Sequence, residues 1–326
     1  MRYNDNGSLT SATLDADEFA EFDRLARALL PVSDGHIDSP AWVAAARRAW
    51  EDAPVQLRRA LRSFRRDSGQ GGALLVRNLP VDLENLPDTP SADGSVLREA
   101  TVSAATVMLI AHGLGDPAAF RPEKSGALVQ NVVPVPGNEE LQANSGSVRL
   151  TFHTENAFHQ HRPDFVLLLC VRPDHEEIAE LRTVCSRQVL PKLSEPARDA
   201  LRSADFVTAA PPSFGAGGGI TQPHAVLPGD EDDPDLRIDE AATKPANDEA
   251  AAAMTELSGL FEDSFNAIRL GAGDLAIVDN RVTVHGRSAF TPRYDGRDRW
   301  LQRTFVLADL RRSRDHRVAD GYVLEK

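Results

Sequence analysis

The chain has 326 residues, a hydrophobic fraction of 41% and a formal net charge of −13, with a pI near 5.2. That length can bury a large core as one big domain or two small ones, whereas 49 acids against 36 bases exclude the basic stripe that a nucleic-acid or anionic-membrane surface requires. A small ligand, anionic ones included, can still enter a locally basic pocket.

The opening stretch MRYNDNGSLTSATLD lacks an apolar signal core, and the apolar runs fall short of a membrane span, so a cytoplasmic protein is expected. From about Asp15 to Asp67, three segments (DEFAEFDRLARALL, SPAWVAAARRAWEDA and PVQLRRALRSFRRD) place apolar residues at helical spacing, with Asp15 and Ser39 as caps. GGALLVRNLPV reads as a buried strand. GSVLREATVSAATVMLIAHGLG reads as one long helix stopped by glycine.

From Gly126 the pattern changes to short strands: ALVQNVVPV, VRLTFHTE, DFVLLLCVR, LRTVCSR, DFVTAA, FNAIRL, DLAIVDN and WLQRTFVLADL, separated by turn residues. Two helices, SEPARDALRSA and ANDEAAAAMTELSGLFEDS, interrupt them. The implied class is α+β, a β-barrel or sandwich with a helical jacket, and no linker divides it. We therefore expect a single unit over 1–326, with a helical part to about 115 and a β core from about 126 to 310. The stretch from Pro211 to Pro245 differs from both, being rich in Gly, Pro and Asp with little apolar periodicity. Loops this long are functional lids or disordered inserts.

Cys170 and Cys185 lie in apolar runs, where buried thiols in a reducing cytosol are expected, and no cysteine cluster suggests zinc or iron–sulfur chemistry. The metal signal lies instead in FHTENAFHQH, Phe152 to His161. Residues two apart on a strand share a face, so His153, Glu155, His159 and His161 could all point one way. A distant third ligand is best supplied by His285 in GDLAIVDNRVTVHGR, just after an apolar strand. His153, Glu155 and His285 would then form the two-histidine, one-carboxylate face that leaves open positions for a chelating co-substrate and dioxygen. Continued extension past Glu155 would carry His159 and His161 roughly 13 to 20 Å from His153, outside the ligand set.

Alone, H-x-E is a weak motif, and a strand histidine is more often structural. The zinc pattern H-E-x-x-H is absent. The odds rise with FTPRYDGRDRWLQRTFVL, where Arg299 and Arg303 share a strand face about 13 Å apart. Two inward guanidiniums near a metal suit two carboxylates, because the planar fork grips each bidentately. The bland alternative is a pair of solvated arginines on an edge strand.

These segments, with LRRALRSFRRDSG, GLGDPAAFRPEKSGALVQNVVPVPG, ENAFHQHRPDFVLLLC and TPRYDGRDRWLQRTFVLADLRRSR, make the chain similar to the clavaminate synthase-like, TauD-related Fe(II)/2-oxoglutarate oxygenases over almost its whole length. The resemblance implies a double-stranded β-helix (jelly-roll) core with a helical jacket and a lid at about 211–245. It implies Fe(II) on His153, Glu155 and His285, with 2-oxoglutarate and O2 as co-substrates. Arg299, helped by the Thr183 hydroxyl, would hold the distal carboxylate of 2-oxoglutarate. Arg303 would take the α-carboxylate of an amino-acid substrate, Glu123 its ammonium, Asn144 would help orient it, and Asp239 would accept hydrogen bonds from a side-chain amide.

The implied reaction is C3 hydroxylation of free L-asparagine to 3-hydroxyasparagine, with succinate and CO2, as a precursor for nonribosomal peptide biosynthesis. Glutamine, arginine, citrulline or a carrier-tethered residue are alternative substrates, and a non-catalytic binding protein on the same barrel is a reading from another class. The stretch from Gly215 to Gln222 departs from the family in its glycine content.

Overall fold

The computed structural model describes residues 2–5, 9–211, 213–214 and 219–325; the glycine-rich positions 215–218 of the expected lid lie outside them. Two short strands, β1 (Arg2–Asp5) and β2 (Thr10–Thr13), precede the helices α1 (Ala16–Ala28), α2 (Pro40–Trp50) and α3 (Val55–Arg66). Both expected caps are present. The Asp15 carboxylate accepts from the Glu18 amide at 3.0 Å, with Glu18 returning the bond, and Ser39 accepts from the Trp42 amide at 3.2 Å, which satisfies amides that a helix start leaves without partners.

Strands β3 (Ala73–Arg77) and β4 (Val96–Leu97) lead to α4 (Val102–Leu114). The long helix expected from Gly94 is therefore shorter, because Val96 and Leu97 pair with a neighbouring strand and the Thr101 side chain caps the helix at Ala104. Gly115 ends α4 where the chain passes the Leu307 carbonyl so closely that a Cβ would lie 2.4 Å from that oxygen.

The core strands follow as β5 (Asp116–Phe120), β6 (Val129–Val132), β7 (Leu150–His153), β8 (Phe165–Arg172) and β9 (Glu180–Cys185). After α5 (Ser186–Val189) and α6 (Glu195–Arg202) come β10 (Phe206–Thr208), β11 (Thr243–Pro245) and α7 (Asp248–Ser264). The last strands are β12 (Asn266–Arg269), β13 (Leu275–Asp279), β14 (Thr283–Arg287), β15 (Trp300–Leu307) and β16 (Val323–Leu324). β13, β8 and β15 form the centre of a ten-stranded sheet, and β12, β9, β14 and β7 form a four-stranded one.

Strand alternation builds three layers from this pattern. On β8, Phe165, Leu167 and Leu169 pack with residues of α1 to α4, while Val166, Leu168 and Cys170 pack with Leu181 of β9 and Ile268 of β12. The large sheet thus carries helices on one face and the small sheet on the other, a jelly-roll core with a helical jacket. On the far side of the small sheet, Phe152, Val184 and Val284 meet α6, α7 and Val226, Leu227, Leu236 and Ile238. Those four residues anchor much of the expected lid, and its end forms β11 against β10.

Candidate metal centre and substrate cleft

His285 lies within a strand of its own, β14, rather than just after one. β14 pairs antiparallel with β7 on one side and β9 on the other, so that Thr183, His285 and His153 form a row across three strands. The imidazole centroids of His153 and His285 are 4.4 Å apart, and Glu155 Oε2 is 3.5 Å from His285 Nε2. One ligand atom from each of His153, Glu155 and His285 lies within 4.8 Å of the others, a spacing one ion can bridge.

The imidazoles are prepared for that ion. His153 Nδ1 faces the Thr151 carbonyl at 3.0 Å, an acceptor only, so Nδ1 carries the proton and Nε2 keeps its lone pair for a metal. Burial, with His153 beside it, holds His285 below the usual imidazole range, which favours the neutral ligand form. Asn280 fixes the backbone of Glu155 on both sides: its Oδ1 accepts from the Glu155 amide at 2.8 Å and its Nδ2 donates to the Glu155 carbonyl at 3.1 Å.

Arg303, on the inward face of β15 and only 1% exposed, joins this centre to the cleft above it. Its guanidinium donates to Glu155 Oε1 at 3.0 Å, to Glu123 Oε1 and to the side chain of Gln130, its neighbour on β6. Burial works against the Arg303 charge, but the two glutamates raise its pKa. Burial would likewise raise Glu155, yet Arg303 and then His285 hold that carboxyl below the usual range. Glu123 goes the other way, pushed up by burial and by the Glu155 charge against the pull of Arg303. The edge-strand alternative for the arginines fails, since β15 is flanked by β8 on one side and by β5 and β6 on the other.

A cleft of about 440 Å3 opens over this group, lined by Glu123, Asn144, His153, Glu155, Phe214 and Asp239 among others. Asp239 arrives beside His153 because the segment after Leu236 runs along β7 as an added edge: the Thr154 amide donates to the Ile238 carbonyl at 2.7 Å and the Glu240 amide to the Phe152 carbonyl at 3.1 Å. Asp239 Oδ1 accepts from the amides of Ala241 and Ala242 at 2.9 and 3.1 Å, which fixes its side chain.

Behind the triad, between the sheets, a narrow cavity of about 30 Å3 is lined by His285, Arg287, Arg299, Leu301 and Arg303 and shares Asn144, His153 and Glu155 with the cleft. Arg299 precedes β15, where a register shift falls between Trp300 and Leu301. It is 6% exposed, burial lowers its pKa, and among the described residues no carboxylate pairs with it. The Thr183 hydroxyl, opposite His285, is buried without a hydrogen-bond partner there. Orphaned donors at that depth fit an anion that completes them.

Sequence reasoning brought all nine expected residues to the cleft, the inner cavity or the strand row beside them, and missed their supports. Asn280 and Gln130 act through tertiary contacts that no local pattern encodes, and Thr151 acts through its backbone carbonyl, which its residue type does not reveal. Asn156 was recoverable, for its left-handed backbone, φ 53°, suits asparagine, and its Nδ2 donates to Glu123 at 3.4 Å. The extension assumed past Glu155 is absent: β7 ends at His153 and the chain turns. His159 is instead packed against Phe120, ring centroids 4.8 Å apart, and His161 against His316 at 4.7 Å. A larger hollow of about 630 Å3 lies away from the triad, and two of its three arginines, Arg187 and Arg281, are already paired with Asp233 and Asp279.

Jelly-roll sheets enclosing two imidazoles and a carboxylate, with an unpaired guanidinium behind them, define the class of non-haem Fe(II), 2-oxoglutarate-dependent oxygenases. The chain belongs to the taurine catabolism dioxygenase TauD, TfdA family, whose model matches residues 52–305. It is 58% identical to the L-asparagine oxygenase of Streptomyces coelicolor over 96% of this chain and 94% of that protein. A crystal structure of asparagine oxygenase in complex with Fe(II), 2S,3S-3-hydroxyasparagine and succinate superposes with a TM-score of 0.95 at 57% identity, covering 97% of this chain and 99% of that one. The non-haem iron oxygenase OrfP in complex with Fe and alpha-ketoglutaric acid gives 0.87 at 27% identity over 96% and 99%.

Proposed function

We propose that the protein hydroxylates free L-asparagine at C3, with Fe(II), 2-oxoglutarate and O2, releasing 3-hydroxyasparagine, succinate and CO2. The observation that carries this reading is the convergence of His153, Glu155 and His285 within 4.8 Å beneath a cleft edged by Glu123 and Asp239, with Arg303 paired to Glu123 from the inner cavity below. When bound, the iron and its co-substrate supply the oxygen chemistry that replaces an unactivated C–H bond by C–OH. The chain's own residues supply placement.

His153 Nε2, Glu155 and His285 hold the iron. Arg299 and the Thr183 hydroxyl hold the distal carboxylate of 2-oxoglutarate, and the inner cavity must widen by side-chain adjustment to admit it. Glu123 and Arg303, paired to each other before substrate arrives, are complementary to a zwitterion: the ammonium takes Glu123 and the carboxylate takes Arg303, so that neither buried charge is left alone. Asn144 helps orient the substrate, and Asp239 accepts from the side-chain amide while repelling a carboxylate in its place. Substrate held in this way presents C3 towards the metal, which is the positioning on which the rate depends. The relative's bound product supports the 2S,3S configuration here.

These parts belong to one oxygenase domain, with 236–240 as the inner edge of the lid. Among the described residues no helix is long and apolar enough to cross a membrane, and buried thiols at Cys170 and Cys185 suit a reducing cytoplasm. The test is anaerobic reconstitution with Fe(II) and 2-oxoglutarate, then oxygen with a panel of free amino acids and a carrier-tethered asparagine. Gain of one oxygen atom and stoichiometric succinate with free asparagine is expected; succinate release indifferent to the amino acid would overturn the assignment.

A further inference from the structure

Arg287 has no part in the reading above, yet it lies in the same inner cavity as Arg299. It follows His285 by two on β14, so both side chains project from one face, and its cross-strand neighbours are Leu181 on β9 and Leu150 on β7. It is 5% exposed. Its Nη2 donates to the Val148 carbonyl at 2.9 Å, while its Nε is buried with no hydrogen-bond partner among the described residues.

The two guanidiniums converge. The Phe290 ring centroid lies 5.3 Å from the Arg287 carbon and 5.7 Å from that of Arg299, and no carboxylate pairs with either among the described residues. After the Cys170 thiol, the acid that acts on Arg299 is Asp174, whose oxygens already accept from the amides of Ile178 and Ala179. Two like charges taken out of water together are costly unless an anion joins them. A neutral carbonyl and an aromatic face compensate only part of that cost.

We infer that Arg287 is a second guanidinium contact for the distal carboxylate of the co-substrate, and that it helps make the site selective for a keto diacid over a keto monoacid. This rests on the oxygenase reading. Arg299, just before β15 of the large sheet, and Arg287, from β14 of the small one, would grip the carboxylate from both walls of the cavity.

The test measures binding rather than turnover. The full chain, loaded anaerobically with Fe(II), is titrated by calorimetry with 2-oxoglutarate and with 2-oxopentanoate, which has the same chain length but no distal carboxylate. Wild-type protein should prefer the diacid strongly. Arg287→Met should weaken 2-oxoglutarate by about tenfold or more, the scale of one charge-assisted hydrogen bond, and leave 2-oxopentanoate unchanged; Arg287→Lys should fall between. If Arg287→Met fails to fold, the lysine variant and Arg287→Gln carry the same comparison. An unchanged diacid-to-monoacid ratio, or equal weakening of both ligands, would overturn the inference and leave Arg287 a packing residue for Val148 and Phe290. Wild-type protein that binds neither keto acid in an iron-dependent way would sink the oxygenase reading itself.

Discussion

His153 and His285 oppose each other across the β7–β14 pair, ring centroids 4.4 Å apart, so strand register sets the geometry of the metal site. A slip by one residue would turn either imidazole to the other face of the sheet. His285→Ala leaves that register in place and removes one ligand. Iron affinity should fall by more than the roughly 10–100-fold that loss of an outer partner costs, with the melting temperature of the metal-free protein nearly unchanged. Anaerobic iron titration and calorimetry of the apo form check both halves.

Much of this frame is legible in the sequence, because the residues that make it act through local rules. Asp15 and Ser39 cap helices where short polar side chains should, and the continuous apolar run of FVLLLCVR marks a strand buried on both faces. Val96 and Leu97 were misread as helix because their partner, β6, lies more than thirty residues downstream. The metal ligands were legible as a weak tripeptide plus a distant histidine, and the resemblance over almost the whole chain added the specificity that the tripeptide lacks. Arg287 and Asn280 escaped for the opposite reason: each lies within a recognised motif, but its contacts come from strands and loops far away in the chain.

Arg303 is the counter-charge to two acids at once, Glu155 buried and Glu123 part-buried. Replacing it by methionine leaves Glu155 and Glu123 facing each other without a cation, and removing one member of a buried pair costs about 3–5 kcal/mol. Arg303→Met should therefore lower the urea midpoint of the apo protein as well as abolish asparagine binding. Arg303→Lys should recover much of the stability and little of the affinity, since an ammonium cannot reproduce the fork that reaches Glu155, Glu123 and Gln130. Paired denaturation and binding curves separate the two effects.

His112 on α4 offers a pH-dependent marker remote from the chemistry. Burial, with the Arg47 charge adding to it, pushes the imidazole down to about 4, against about 6.5 when unfolded. The folded state resists protonation that the unfolded state accepts, so this contribution is fully present above about pH 6.5 and is lost as pH falls towards 4. The loss should reach up to about 3 kcal/mol, at roughly 1.4 kcal/mol per pH unit. His112→Leu should flatten that part of the stability profile, as measured by urea midpoints between those pH values; an unchanged slope would place the sensitivity elsewhere.

Asp239 offers the cleanest separation of fold from selectivity, because its structural and recognition duties use different properties of one side chain. The turn needs only an acceptor, Oδ1, for the amides of Ala241 and Ala242, and the amide oxygen of asparagine can serve there. Recognition needs the negative charge, which welcomes the substrate's amide N–H groups and repels a carboxylate. Asp239→Asn should thus fold normally, lose kcat/KM for asparagine and gain it for aspartate, erasing a discrimination worth several kcal/mol. Succinate formed without hydroxylated amino acid should also rise for asparagine, as a poorly held C3 lets the oxidising cycle run uncoupled. Steady-state kinetics on both substrates, with succinate and hydroxylated product quantified separately, decide the matter; a variant that still rejects aspartate as wild-type protein does would show that the charge at Asp239 is not what selects the amide.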